Sequence, residues 1–209
     1  MANNIRRRGV GKARVQQMEN IISAAEIEFS QKGFDGVSIQ AIADRAGLTK
    51  RQVLYFFKTK SNLYQSVIKN IFKDWATIDL YLIKGNPRQV LNTYIERILR
   101  SAQKKPHLSK ILINEMTRGG EVAISIFHDL KTEETMKSLK ERFENWKTEE
   151  KIKSIDPIQY IFLIWAAQHF YAAFEPEVKY IMGLKKLKDE DWDNIIEQTK
   201  KIFLNIIEK

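Results

Sequence analysis

From Val15 to the last residues, apolar side chains recur three and four positions apart, and no segment alternates for long. A 3.6-residue period lays one apolar stripe along a helix, whereas a half-buried strand needs a period of two. Met18, Ile21, Ile22, Ala25 and Phe29 form the first stripe, and Gly33 stands where a glycine ends a helix. Ser38 reads as the N-cap of a second helix with Ile39, Ile42, Ala43 and Ala46 inward, closed by Gly47. Thr49 caps a short third with Val53, Leu54 and Phe57 inward. Longer helices are expected over Lys60–Ile83, from Asn86-Pro87 to Lys104, from Pro106 to Gly119-Gly120, over Val122–Lys151, from Asp156-Pro157 to Phe174, and from Asp189 to Ile207. With 9 Gly and 4 Pro in 209 residues, the chain lacks the turn residues of an all-β fold. The pattern predicts an all-α chain with no internal repeat.

The residues that carry most hydrolytic and metal chemistry are missing or scattered. There is no Cys, so no disulfide framework, thiolate metal site or Cys nucleophile can form. His107, His128 and His169 lie far apart, without HExxH, a glycine-rich phosphate loop or G-x-S-x-G. Ser125 and His128-Asp129 share a helical turn, but that spacing alone makes no catalytic triad. The expectation is a non-enzyme without metal or cofactor. No apolar run reaches the roughly 18 residues of a membrane span, and no apolar core follows the N-terminal basic residues as in a leader. A soluble cytoplasmic protein is expected.

Charge is concentrated at one end. The net charge is +9; residues 1–60 carry 11 Lys/Arg against 5 Asp/Glu, and residues 61–209 carry 24 against 21. Such asymmetry suits a polyanion. Residues 1–14 hold Arg6, Arg7, Arg8, Lys12 and Arg14 without an apolar period, and read as a flexible basic arm, either lying along phosphates or simply solvated. Residues 15–60 then form a candidate DNA-binding domain. Two short helices meet at Ala46-Gly47-Leu48-Thr49, with small Ala43 allowing close approach and Gly47 supplying a positive φ. This is helix-turn-helix geometry, whose second helix enters the major groove. Its exposed residues are Lys50, Arg51, Gln52, Tyr55 and Phe56. Gln52 can pair with adenine and Arg51 with guanine. Lys50, Tyr55, Lys58 and Lys60 suit phosphates, as do the free amides near Ser38 and the cap at Thr49. The plain alternative is a helical hairpin with basic solvent-facing residues.

The segment FSQKGFDGVSIQAIADRAGLTKRQVLYFFKTKSNLYQSVI, Phe29–Ile68, resembles the DNA-binding module of the TetR family of regulators. It departs at Val37, Arg51 and Phe56, where that family often has Thr, Gly or Thr, and Tyr or His. The resemblance implies a homodimer on double-stranded operator DNA, with residues 61–209 binding a small-molecule effector and dimerising. KDWATID around Trp75, INEMTRGG (Ile113–Gly120) and IDPIQYIFLIWAAQHFYAAFEPEV (Ile155–Val178) are similar to the pyrimidine-utilisation regulators of the same family. That likeness implies a uracil- or thymine-like ligand near Trp75, Trp165 and Gln168.

The residues themselves allow such a pocket. Trp165, Gln168, His169 and Ala172 share one helix face, and Asn114 and Glu115 end the helix before Gly119-Gly120. Trp75 and Trp165 can supply flat faces, and Gln168 both a donor and an acceptor. Equally, the tryptophans can be core, with Gln168 and His169 hydrogen-bonded in a dimer seam. That seam is expected from Ile158, Ile161, Phe162, Trp165 and Phe170 on one helix and Trp192, Ile195, Ile196, Ile202, Phe203 and Ile206 on the last, unless these form a monomer core. The function expected is ligand-responsive transcriptional regulation, as a repressor. Two alternatives are an effector unrelated to pyrimidines and a sequence-independent nucleoid-type binder.

Overall fold

A computed structural model of the chain describes residues 2–78 and 80–207, with side chains from Lys12 onward. All regular structure among the described residues is helical. The helices are α1 (Ala2–Lys32), α2 (Ile39–Ala46), α3 (Lys50–Phe57), α4 (Lys60–Ala76), α5 (Pro87–Lys104), α6 (Pro106–Thr117), α7 (Glu121–Asp129), α8 (Thr132–Thr148), α9 (Pro157–Ala173), α10 (Glu175–Ile181) and α11 (Asp189–Ile207). The chain divides into two compact units, Met1–Ile71 and Phe72–Lys209.

In the first unit, α1 to α3 and the start of α4 surround one core. Ile21, Ala25 and Phe29 of α1 are buried, as are Ile42, Ala43, Val53, Leu63, Val67 and Ile68 of α2 to α4. Phe29 and Tyr64 pack edge to face at 4.9 Å. Polar ties fix the helices as well: Arg45 of α2 and Lys32 both hydrogen-bond the buried Glu28 carboxylate, at 2.7 and 2.9 Å. Those two bonds, Lys32 first, hold the Glu28 carboxyl below its ordinary pKa. Asn70 of α4 donates to Glu26 of α1 at 3.0 Å. The start of α4 therefore belongs to this core, and the unit boundary falls after Ile71 rather than after Lys60. Helix α1 also begins earlier than its apolar stripe. The irregular arm expected over 1–14 is corrected where it is described: Lys12 and Arg14 are exposed residues of α1. The side chains of Arg6, Arg7 and Arg8, and all of Met1, lie outside the described residues.

The second unit is built on α9. Helices α5 and α6 pack against it, and α11 packs on α5. Val90, Leu91, Ile95, Leu99, Phe143, Tyr160, Ile161, Ile164, Ile196 and Leu204 form the main core. The buried Tyr160 hydroxyl donates to the Phe203 carbonyl at 2.9 Å, and burial raises its pKa. Lys200 is buried between Glu96 and Glu197, at 2.8 and 2.9 Å. Burial works against its ammonium form, but the two carboxylates outweigh that and hold its pKa up.

Three helix expectations change here. Helix α4 stops at Ala76, and a 3-10 turn at Leu80–Leu82 follows. The Arg142 guanidinium gathers the carbonyls of Leu80, Tyr81 and Ile83, which a helix would have paired internally. The helix expected over Val122–Lys151 is two helices, broken at Lys131 with φ 52. Helix α10 was hidden in the run after Phe174, where Pro176 occupies a first-turn position.

Candidate functional site

The helix-turn-helix forms as its residues dictate. The Ser38 hydroxyl accepts from the Ala41 N–H at 3.1 Å and starts α2. Gly47, at φ 68, ends α2, and the Leu48 N–H returns to the Ala43 carbonyl at 2.9 Å. A left-handed residue here lets the chain reverse within the four-residue turn, and glycine adopts it without strain. Thr49 starts α3 with a reciprocal capping box. Its hydroxyl accepts from the Gln52 N–H at 3.2 Å, and Gln52 Oε1 accepts from the Thr49 N–H at 2.8 Å. Val53 and Phe57 anchor α3 in the core, leaving Lys50, Arg51, Gln52 and Tyr55 exposed and Phe56 half-buried.

Among the residues expected to touch DNA, some side chains are exposed and uncommitted and others are used within the protein. Lys50 and Arg51 have no carboxylate partner among the described residues, and α3 itself contains no acidic residue, so the face is cationic. Lys58, at φ 65, caps α3 and lies 5.6 Å from the Tyr55 ring. Gln52 differs from the expectation. Its Oε1 is occupied by the Thr49 N–H and hydroxyl, so a two-bond contact with adenine requires the cap to open. Lys60 also differs: its ammonium donates to the carbonyls of Phe34 and Val37 at 2.9 and 3.0 Å, and lies 4.5 Å from the Phe34 ring. In this arrangement Lys60 ties the α1–α2 loop to α4, and two of its three N–H donors are engaged inside the protein. Ser38 and Thr49 serve α2 and α3 through their caps.

In the second unit, two of the six expected ligand residues, Trp75 and His169, come together, and a third, Gln168, neighbours His169 in sequence. The Trp75 and His169 rings lie 5.4 Å apart, and Gln168 is adjacent to His169 on α9. Gln168 is 2% exposed. Its Nε2 and the Nδ1 of His169 are buried without a hydrogen-bond partner. Burial pushes the His169 pKa down to about 4, so its ring is neutral at pH 7. Phe72, 6.0 Å from Trp75 and 4.6 Å from Phe127, extends the aromatic surface. Phe72 was legible as the residue three before Trp75 on one helix face; Phe127 comes from a distant helix and carries no local signal.

The other three expected ligand residues are engaged elsewhere or stand apart. Trp165 donates from Nε1 to the Tyr94 hydroxyl at 2.7 Å and packs against the main core. Glu115 accepts from the Val122 and Ala123 N–H groups at 2.8 and 3.3 Å, capping α7 where an anion suits the helix dipole. Asn114 is half-buried, and no hydrogen bond among the described residues joins it to Trp75, Gln168 or His169. The proposed seam divides similarly. Ile161, Trp192, Ile195, Ile196 and Phe203 are buried within the single chain, correcting their assignment to a partner surface, whereas Phe162, Phe170, Ile202 and Ile206 are exposed. A cleft of about 580 Å³ between the end of α4 and α5 is lined by Asp74, Thr93, Arg97, Arg100 and Lys104, not by the ligand candidates.

Comparison with known proteins gives this geometry a context. Residues 21–67 match the family model described as bacterial regulatory proteins, tetR family. Residues 65–209 match that of the YcdC-like protein, C-terminal region. The chain is 33% identical over 187 residues to the HTH-type transcriptional regulator RutR of Escherichia coli (strain K12), covering 88% of this chain and 87% of that protein. It is 31% identical over 104 residues, 49% of each chain, to the HTH-type transcriptional repressor NicS of Pseudomonas putida. The solved structure of the fatty acid degradation regulator FadR from Bacillus halodurans shares the fold, with a TM-score of 0.65 at 14% identity over 90% of this chain and 94% of that one. Among the described residues no helix is long and apolar enough to cross a membrane.

Proposed function

The chain belongs to the TetR family of helix-turn-helix transcriptional regulators, and from that premise we propose that it is a cytoplasmic repressor that binds operator DNA as a homodimer and responds to a pyrimidine such as uracil or thymine. The observation that carries the effector reading is that two successive residues of α9 hold buried, unpaired polar atoms, Gln168 Nε2 and His169 Nδ1, with the His169 ring 5.4 Å from that of Trp75. Buried polar groups are nearly always satisfied, so two exceptions on successive residues suit a missing ligand. The amide offers a donor, and the neutral imidazole nitrogen accepts or donates according to its tautomer. A flat, uncharged lactam edge answers both and can stack on Trp75. The neutral ring gives a carboxylate ligand no cation to pair with.

Coupling to DNA follows from connectivity. Helix α4 begins next to the reading head in sequence and carries Trp75 near its other end. An effector that prefers one arrangement of α4 shifts the population toward it, and a preference of a few kcal/mol changes operator affinity by orders of magnitude.

The experiment is a titration followed by melting temperature and tryptophan fluorescence, with uracil, thymine and unrelated metabolites, alongside DNA release measured by fluorescence anisotropy. Saturable shifts with pyrimidines, and their loss in Trp75→Ala with DNA binding intact, are expected. Response only to another compound removes the pyrimidine reading. Release of DNA from Trp75→Ala on pyrimidine addition removes the placement of the pocket. A steep salt dependence with no preferred duplex points instead to sequence-independent binding.

A further inference from the structure

The reading helix exposes more aromatic surface than a helix of its length needs for packing. Tyr55 is 61% exposed, and Phe56 meets it at 86° with ring centroids 5.4 Å apart. Arg14, an exposed residue of α1, lies over both: its guanidinium carbon is 5.9 Å from the Tyr55 centroid and 5.8 Å from that of Phe56. Arg14 comes from a different helix, and its sequence distance from Tyr55 gave no hint of the contact. Among the described residues it has no hydrogen-bond or carboxylate partner.

A guanidinium is permanently charged and planar. Its face can rest on aromatic rings while its N–H groups, which lie in the plane, stay available to an anion. Arg14 is therefore a cation seated beside a helix whose other exposed cations are Lys50, Arg51 and Lys58, with no acid on that helix. We propose that Arg14 contacts a DNA phosphate from α1, held against the reading helix by Tyr55 and Phe56, so that the DNA interface spans three helices rather than two. This rests on the DNA-binding reading above and goes beyond it. A helix-borne, aromatic-seated arginine is a different device from a free basic arm, because its position is set before DNA arrives and less ordering is needed on binding.

The test compares the wild type with Arg14→Ala and Arg14→Lys on two duplexes, one selected by the wild type from a randomised pool and one unrelated, across a salt series. A phosphate contact gives no sequence information, so Arg14→Ala should weaken both duplexes by a similar factor, on the order of tenfold. It should also lower the slope of log affinity against log salt by about 0.9 for each copy of Arg14 on the DNA. Arg14→Lys should restore the slope but only part of the affinity, because an ammonium keeps the charge without the planar stack. Arg14 is exposed, so losing its ring contacts should lower the melting temperature only slightly, and an unchanged circular dichroism spectrum separates lost DNA affinity from a folding defect. An unchanged slope in Arg14→Ala overturns the proposal, as does a changed sequence preference with the slope intact. If selection with the wild type enriches no duplex and the unrelated one is not bound, the DNA-binding reading fails and takes this one with it; wild-type binding with Arg14→Ala unaltered removes this one alone.

Discussion

Gln168 carries a cost that a purely structural residue would not. Its amide nitrogen is buried and unpaired, and leaving such a donor unsatisfied costs about 1–3 kcal/mol. A core residue selected for stability alone would be apolar. Gln168→Leu keeps the bulk and removes the orphan donor, so the ligand-free protein is expected to become more stable by about 1–2 kcal/mol. The same change should abolish the pyrimidine-induced melting shift. Thermal denaturation with and without uracil reads both effects. A destabilised variant that retains its ligand response would mean that the amide is structural and the pocket lies elsewhere. Gain of stability paired with loss of response is the pattern of a binding residue.

At the scale of an element, α3 is short and depends on its ends. Eight residues make barely two turns, too few to persist by propensity alone. Val53 and Phe57 bury one face, and the Thr49–Gln52 box satisfies the first amides. Thr49→Ala removes the hydroxyl from that box, and a loss of about 1 kcal/mol is expected on chemical denaturation. The variant should also weaken binding to the selected duplex, because the reading face frays at the end that carries Lys50 and Arg51. Lost stability with fully retained DNA affinity would show that DNA itself orders the cap. Gln52 explains why this element was only half legible. S/T-x-x-Q is a capping signature as well as a presentation of an amide to a base, and one side-chain oxygen cannot serve both at once.

At the scale of the whole molecule, the apolar side chains left on the surface decide what the chain associates with. Phe162, Leu163, Phe170 and Phe174 on and just after α9, and Ile202 and Ile206 on α11, stay exposed in the single chain. A stripe of large apolar residues in water favours burial against a second copy. Ile202, at 61% exposure, loses little within the protomer when replaced. Ile202→Glu combined with Phe170→Glu is expected to give a monomer by sedimentation at micromolar concentration, with circular dichroism unchanged. Operator affinity should fall at least tenfold, since one reading head then binds without its partner. A double variant that remains dimeric would place the interface on another surface.

Sequence alone determined the helical class, the caps at Ser38 and Thr49, and the glycine turn between α2 and α3. Each rests on neighbours within about four residues, the range over which helical hydrogen bonds and side-chain caps act. It also nominated Trp75, Asn114, Glu115, Trp165, Gln168 and His169 as ligand candidates, because residue type and helix-face spacing are local facts, but not which of them would find partners inside the protein. Tertiary structure decided what each polar group finds opposite it. Lys60 meets the carbonyls of Phe34 and Val37, Trp165 meets Tyr94, and Arg142 closes the turn after α4. The unpaired atoms of Gln168 and His169 are of the same kind, visible only once every neighbour is in place. Partners brought together from distant parts of the chain leave no periodic trace, since their pairing depends on how whole helices pack and not on the order of residues within any one of them.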